Sequence, residues 1–226
     1  MKGMILAAGL GARMRPLTEH TPKPLLKVGG KPLIVWHIEA LRAANVREIV
    51  INTAWLGHKL EKALGDGRAL GVNIHWSHEP DGHPLETAGG IIQALPLLGR
   101  DPFLLVNGDI WLRKFFSPLK RALAPGRQAH LVLVDNPEHN PRGDFGLSAG
   151  GMALNQAPQQ FTYSTVGLYR PALFAGTPAG HKAALAPLLR TAMQSGRVSA
   201  ALYSGAWTDV GTPDRLALLN APPTAP

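Results

Sequence analysis

The chain has 226 residues, 45% of them hydrophobic, and its 23 lysines and arginines outnumber 15 acids for a formal charge of +8. It contains no cysteine, which excludes disulfides, thiolate metal sites and cysteine nucleophiles and leaves oxygen or imidazole as the ligand for any metal. No apolar run approaches the roughly 18 residues of a membrane helix, most cations beyond the N-terminal segment are scattered, and only 6% of residues are aromatic, so neither a membrane nor a nucleic acid is the expected partner.

Short apolar runs alternate with helical periodicity, which predicts an α/β fold with a sheet between helices. The length suits one domain over residues 1–220, with a disordered tail at 221–226. A first strand is expected at Met4–Leu6. Read as a leader, the stretch Met4 to Ala12 has one preceding Lys, two internal glycines and Arg13 directly behind it, so a buried strand and a cytoplasmic location are expected instead. A helix follows from Pro32 to Ala44 with Ile34, Ile38 and Leu41 on one face, then a strand at Ile49–Ile51. The next helix carries Leu56, Leu60 and Leu64 and ends at Gly65-Asp66-Gly67. A strand at Val72–Trp76 and a helix from Ala88 to Leu95, stopped by Pro96, lead to a strand at Phe103–Val106 that meets Asn107-Gly108-Asp109. An amphipathic helix is expected to begin near Phe115-Phe116, followed by a strand at Leu131–Val134. The glycine-rich stretch Phe145–Leu154 reads as a hairpin or lid. A strand at Tyr163–Tyr169, a helix at Leu185–Met193 and a strand at Ser199–Tyr203 precede Trp207-Thr208-Asp209-Val210-Gly211.

The chemistry concentrates at the start. The first strand delivers the chain to Ala7-Ala8-Gly9-Leu10-Gly11, whose glycines admit positive φ and let backbone N–H groups approach phosphate oxygens. Arg13 and Arg15 stand just beyond, and Lys23 projects from a stiff loop between Pro22 and Pro24. Up to Lys31 there are six basic side chains against Glu19 alone, a net +5 that suits a polyphosphate ligand. The Walker spacing is absent, and the third glycine of the dinucleotide fingerprint is replaced by Met14.

Asp109 follows an apolar run and a glycine, which places it at the carboxyl end of a strand, where open α/β sheets bind ligands; Asp209 has a similar setting. Either alone could be a cap or turn residue. Together they suit Mg²⁺, which takes one or two carboxylates with substrate phosphates and water. His75, His78 and His83 crowd around Trp76, but strand alternation puts His75 and His78 on opposite faces, against a zinc site.

Over nearly its whole length the chain resembles the sugar-1-phosphate nucleotidyltransferase family. The resemblance rests on L-A-A-G-x-G-x-R from Leu6 to Arg13, Pro16-Leu17-Thr18, Pro22-Lys23-Pro24-Leu25, Gly30-Lys31-Pro32, Gly108-Asp109 and Trp207-x-Asp209-x-Gly211-Thr212. It implies a Rossmann-like three-layer nucleotidyltransferase domain with a mixed, mostly parallel central sheet. It also implies catalysis by Arg13, Lys23, Asp109 and Asp209, the two aspartates holding Mg²⁺. A nucleoside triphosphate would be bound by Leu6, Ala7, Ala8, Gly9, Gly11, Arg13, Lys23, Glu79, Glu86, Thr87, Gly89 and Asn107, and a sugar 1-phosphate by Asn107, Gly146 and Thr165. In the implied reaction an ionised sugar 1-phosphate oxygen attacks the α-phosphate in line and pyrophosphate leaves. No general base is required, so catalysis reduces to positioning and charge neutralisation.

Glu86 stands where the family commonly has Gly. The form Leu85-Glu86-Thr87-Ala88-Gly89-Gly90 resembles the branch that joins UTP to N-acetylmuramate 1-phosphate in peptidoglycan recycling. Ser77-His78-Glu79 with Leu85-x-Thr87-Ala88-Gly89 is also similar to mannose-1-phosphate guanylyltransferases. Physics leaves the base open, since a Glu79 carboxylate can accept from uracil N3–H or from two adjacent guanine donors. Only 15 residues follow Gly211, which fits a catalytic domain without a regulatory extension. Arg113 and Lys114 suggest an altered sugar site, and Arg142 is a candidate partner for a lactyl carboxylate. A non-catalytic nucleotide-binding module is the alternative from another class, and the intact Arg13, Lys23, Asp109 and Asp209 argue against it.

Overall fold

The computed structural model describes residues 1–112 and 123–222. The helix expected at Phe115-Phe116, together with Arg113 and Lys114, lies outside the described residues, as do the last four residues of the tail.

Four strands form a parallel block in the order β5 (Asn73–His78), β4 (Glu48–Thr53), β1 (Gly3–Leu6) and β6 (Phe103–Asn107). The long strand β11 (Gln160–Tyr169) then pairs antiparallel with β6 and extends the sheet. β11 also carries β8 (Ala129–Val134) and, at its start, β9 (Phe145–Leu147), which forms a hairpin with β10 (Ala153–Leu154). A parallel strand β12 (Val198–Leu202) lies beside β8. Among the described residues the sheet is mixed and nine-stranded, the expected α/β architecture.

Strand alternation explains the layers. β1 is buried on both faces: Met4 and Leu6 pack with α3 (Glu86–Leu98) and α4 (Leu185–Gln194), while Ile5 and Ala7 pack with α1 (Leu33–Ala43) and α2 (Gly57–Leu64). Each face therefore has its own apolar cluster, and burying a Leu or Ile in either contributes roughly 1.5–3 kcal/mol. The helix expected to stop at Pro96 runs on to Leu98, because Pro96 is exposed and falls in the final turn; Gly99, at φ 86°, ends it. Leu56 precedes α2 in left-handed backbone rather than joining it.

Three small elements escaped the periodicity, two ribbons because their strands are only two or three residues long and the last helix because it buries no side chain fully. These are the ribbons β2 (Lys27–Val28) with β3 (Lys31–Pro32) and β7 (Ile110–Leu112) with β13 (Trp207–Asp209), and the helix α5 (Pro213–Asn220). The β7–β13 ribbon carries the C-terminal aspartate back to the carboxyl end of β6.

Candidate active site

Parallel β1, β4 and β6 all end at the same edge of the sheet, and their exits build the site. Gly108 makes this possible: its N–H donates to the Leu6 carbonyl at 2.8 Å, and a Cβ there would lie 2.8 Å from that same oxygen. The Ala7–Gly11 loop and the Asn107–Asp109 turn are therefore pressed side by side. Gly11 adopts φ 64°, its carbonyl accepts from Thr18 Oγ1 at 2.7 Å, and Met14 anchors the far end of the loop in a small cluster with Val28, Leu33 and Val210.

A cavity of about 360 Å³ opens at this edge, lined among others by Leu6, Ala7, Ala8, Gly9, Gly11, Arg13, Lys23, Glu79, Glu86, Thr87, Asn107 and Asp109. Twelve of the residues expected from sequence thus meet in one place. Arg13 is exposed, and among the described residues no acid pairs with it. Lys23 is buried and its Nζ meets Asp109 Oδ2 at 2.7 Å.

Asp209 does not line the cavity. It stands beside it, because Asp209 pairs with Ile110 across the β7–β13 ribbon and Val210 N–H donates to the Asp109 carbonyl at 2.7 Å. Its Oδ1 accepts from Arg215 Nη1 and lies 2.9 Å from His139 Nε2. Behind Asp109, His37 of α1 is buried; desolvation holds its imidazole down to about 4 despite the pull of the Asp109 charge, so it is neutral at pH 7.

Glu79 proves to be a keystone of the wall. Its Oε1 accepts from Asn52 Nδ2 at 2.6 Å and its Oε2 from Leu85 N–H at 2.7 Å, while Asn52 Oδ1 accepts from Ala7 N–H at 2.7 Å. One buried chain of hydrogen bonds thus ties the glycine loop, β4 and the start of α3 together. Gly90 leaves room for it, since a Cβ there would stand 2.4 Å from Glu79 Oε1. The expected binding residue Gly89 instead serves packing: its Cβ would meet the His181 carbonyl at 2.6 Å. Asn52 and Gly90 were missed from sequence. The polar Asn52 closing a buried apolar strand was the available signal.

A second cavity of about 490 Å³ shares Leu6, Glu86, Thr87 and Asn107 with the first and continues to Asp144, Phe145, Tyr163, Thr165, Leu189 and Arg190. Thr165 occupies left-handed backbone at φ 64°, where the β11–β8 register shifts between Tyr163 and Gly167. Gly146 is absent from the lining and instead permits close approach, since a Cβ there would lie 2.4 Å from that of Ala157. Glu86, common to both cavities, also holds positive φ at 62°, a conformation that favours glycine and explains the residue expected there.

His75 contacts Glu48 at 2.7 Å on the sheet edge, and among the described residues no group of three or more His, Asp or Glu could hold a metal by itself. No helix of the described residues is long and apolar enough to cross a membrane.

The Nucleotidyl transferase family model matches residues 2–222. The chain is 55% identical over 221 residues to the N-acetylmuramate alpha-1-phosphate uridylyltransferase of Neisseria meningitidis, covering 96% of this chain and 95% of that protein. It is 35% identical over 223 residues to the enzyme of the same description from Caulobacter vibrioides, covering 93% and 91%. A solved Bacillus anthracis structure described as a glucose-1-phosphate thymidylyltransferase shares the fold with a TM-score of 0.83 at 23% identity, covering 97% of this chain and 94% of that one. A glycine loop at the exit of β1, an aspartate at the exit of β6 and likeness to curated relatives along nearly the whole length agree: the chain belongs to the nucleotidyl transferase family.

Proposed function

We propose that this enzyme transfers UMP from UTP to N-acetylmuramic acid α-1-phosphate, releasing pyrophosphate and UDP-N-acetylmuramate, as a step of peptidoglycan recycling in the cytoplasm. The observation that carries the reading is the pair of cavities joined along Leu6, Glu86, Thr87 and Asn107, one walled by the glycine loop with Arg13 and Lys23, the other largely apolar. The near full-length likeness to two uridylyltransferases supports the choice of base and sugar.

In this reading the backbone of Ala8–Gly11, Arg13 and Lys23 grips the triphosphate. Arg13 offers a planar fork for two phosphate oxygens, whereas Lys23 is a compact charge held in place by Asp109. The Glu79–Asn52 chain keeps the base-side wall at its distance from the phosphate loop, and the sugar occupies the second cavity with Asn107 and Thr165 along its wall. An ionised sugar 1-phosphate is already a nucleophile, so alignment on the α-phosphate supplies the catalysis and no side chain has to remove a proton.

The donor set suits a magnesium ion. Asp109 and Asp209 are half-buried hard carboxylates brought to one corner by the β7–β13 ribbon, and the absence of a third such ligand among the described residues matches an ion completed by phosphates and water. When bound, it would supply charge neutralisation at the phosphates.

The test is a side-by-side kcat/KM comparison, with pyrophosphate readout, of UTP plus N-acetylmuramate 1-phosphate against GTP plus mannose 1-phosphate. The expected result is turnover of the first pair in preference to the second. A preference of about tenfold or more for the guanylyl pair would overturn the assignment.

A further inference from the structure

The second cavity is lined mainly by apolar groups, and Arg190 is the one cationic side chain in its lining among the described residues. Arg190 leaves the last turns of α4 and crosses above the Phe145 ring, its guanidinium carbon 5.1 Å from the ring centroid. Its Nη1 donates to the Asn155 carbonyl at 3.2 Å and its Nη2 to the Asp144 carbonyl at 3.4 Å. These contacts fix the plane of the fork and use two of its five N–H donors.

The acids in the same lining are Asp144 and Glu86. The neighbouring Asp144 carboxylate accepts from Tyr163 N–H at 2.8 Å, and among the described residues no acid forms an ion pair with Arg190. A guanidinium seated over an aromatic ring, with donors to spare and no ion-pair partner among the described residues, can take a carboxylate in bidentate fashion.

Position narrows the ligand. The cations of the glycine loop and Asp109 line the first cavity, so the anomeric phosphate faces the wall the two cavities share. The wall built by β9, β11 and α4 then meets ring substituents away from that phosphate. Arg142, the cation expected beside the hairpin, is exposed and lines neither cavity.

We propose that Arg190 is a specificity-determining residue that receives the carboxylate of a 3-O-lactyl sugar 1-phosphate and so selects it over the same sugar lacking that acid. The inference rests on the sugar-1-phosphate reading given above. Its test is the ratio of kcat/KM for N-acetylmuramate 1-phosphate to that for N-acetylglucosamine 1-phosphate, both with UTP, in the wild type, Arg190→Gln and Arg190→Glu. Because both sugars are read in the same variant, any general loss of fold scales both and leaves the ratio alone. The ratio is expected to fall at least about tenfold in Arg190→Gln and further in Arg190→Glu. A smaller fall in Arg190→Gln, or equal ratios in the two variants, would overturn the role of Arg190. A wild type with no preference for the muramate would retire the substrate assignment instead, so the two failures are distinguishable.

Discussion

Gly90→Ala offers a sharp test of the hydrogen-bonded wall, because propensity and packing predict opposite signs. Gly90 lies inside α3, where replacing glycine by alanine ordinarily gains roughly 0.5–1 kcal/mol by restricting the unfolded chain. Here the new Cβ would lie 2.4 Å from Glu79 Oε1 and 2.7 Å from Asn52 Nδ2, distances at which something has to move. Both atoms belong to the same buried hydrogen bond, and a bond to a charged group contributes about 1.5–3 kcal/mol. Overpacking adds roughly 1–3 kcal/mol. Set against the helix gain, the net loss is about 1.5–5.5 kcal/mol, which at ~2–4 °C per kcal/mol for a chain of this size lowers Tm by about 3–22 °C. Urea and thermal melts measure it. The Glu79→Ala, Gly90→Ala double variant checks the cause: with the carboxylate gone, the alanine has space, and the two changes should couple by about 1 kcal/mol or more. A Gly90→Ala protein as stable as wild type would refute the claim that the wall is closed against α3.

Asp109→Asn and Asp209→Asn should each keep the fold, since an amide nearly matches a carboxylate in shape, and each should lose most turnover; retention of more than about a tenth of wild-type kcat at saturating Mg²⁺ removes that residue from the metal corner. Arg13→Lys keeps the charge but not the fork, so kcat/KM should fall about tenfold or more, with Lys23→Ala measured beside it; wild-type kinetics in Arg13→Lys contradict the bidentate argument. Glu86→Gly should raise stability by up to ~1 kcal/mol, because left-handed backbone costs a side chain ~1–2 kcal/mol and glycine returns part of that gain as entropy. It should also weaken sugar or nucleotide binding; a lowered Tm would show that Glu86 is not strained.

The core of the fold was legible because its signal is local. Fully buried β1 reads as an unbroken apolar run, and α1 repeats Ile34, Ile38 and Leu41 on one face. The candidate site was marked in the sequence where backbone chemistry dictates the residue: Gly11 has left-handed φ, and Gly108 lets two strand exits touch. What the sequence hid was pairing across distance. Asn52, Glu79 and Leu85 form one hydrogen-bonded chain, yet nothing in their spacing announces it. Arg190 looks like any polar residue on an amphipathic helix until β9 places Phe145 beneath it. Gly89 and Gly90 are indistinguishable in a string, and only their environments separate helix packing from the wall of the cavity.

Charge shows the same distinction most clearly. A count along the chain treats the six N-terminal cations as one phosphate-binding patch, and the fold divides them. Lys2 is drawn to the Leu97 carbonyl, Lys31 pairs with Glu39 at 2.5 Å and lies over the Trp36 ring, and Lys27 and Arg15 are exposed away from the cavity. Only Arg13 and Lys23 line the cavity, and Lys23 already has Asp109 as its partner. The local surplus that meets an incoming triphosphate is therefore far smaller than net +5. In the proposed reading, affinity comes chiefly from the directed backbone donors of the glycine loop and the Arg13 fork, whose geometry a surplus of screened surface charge cannot replace.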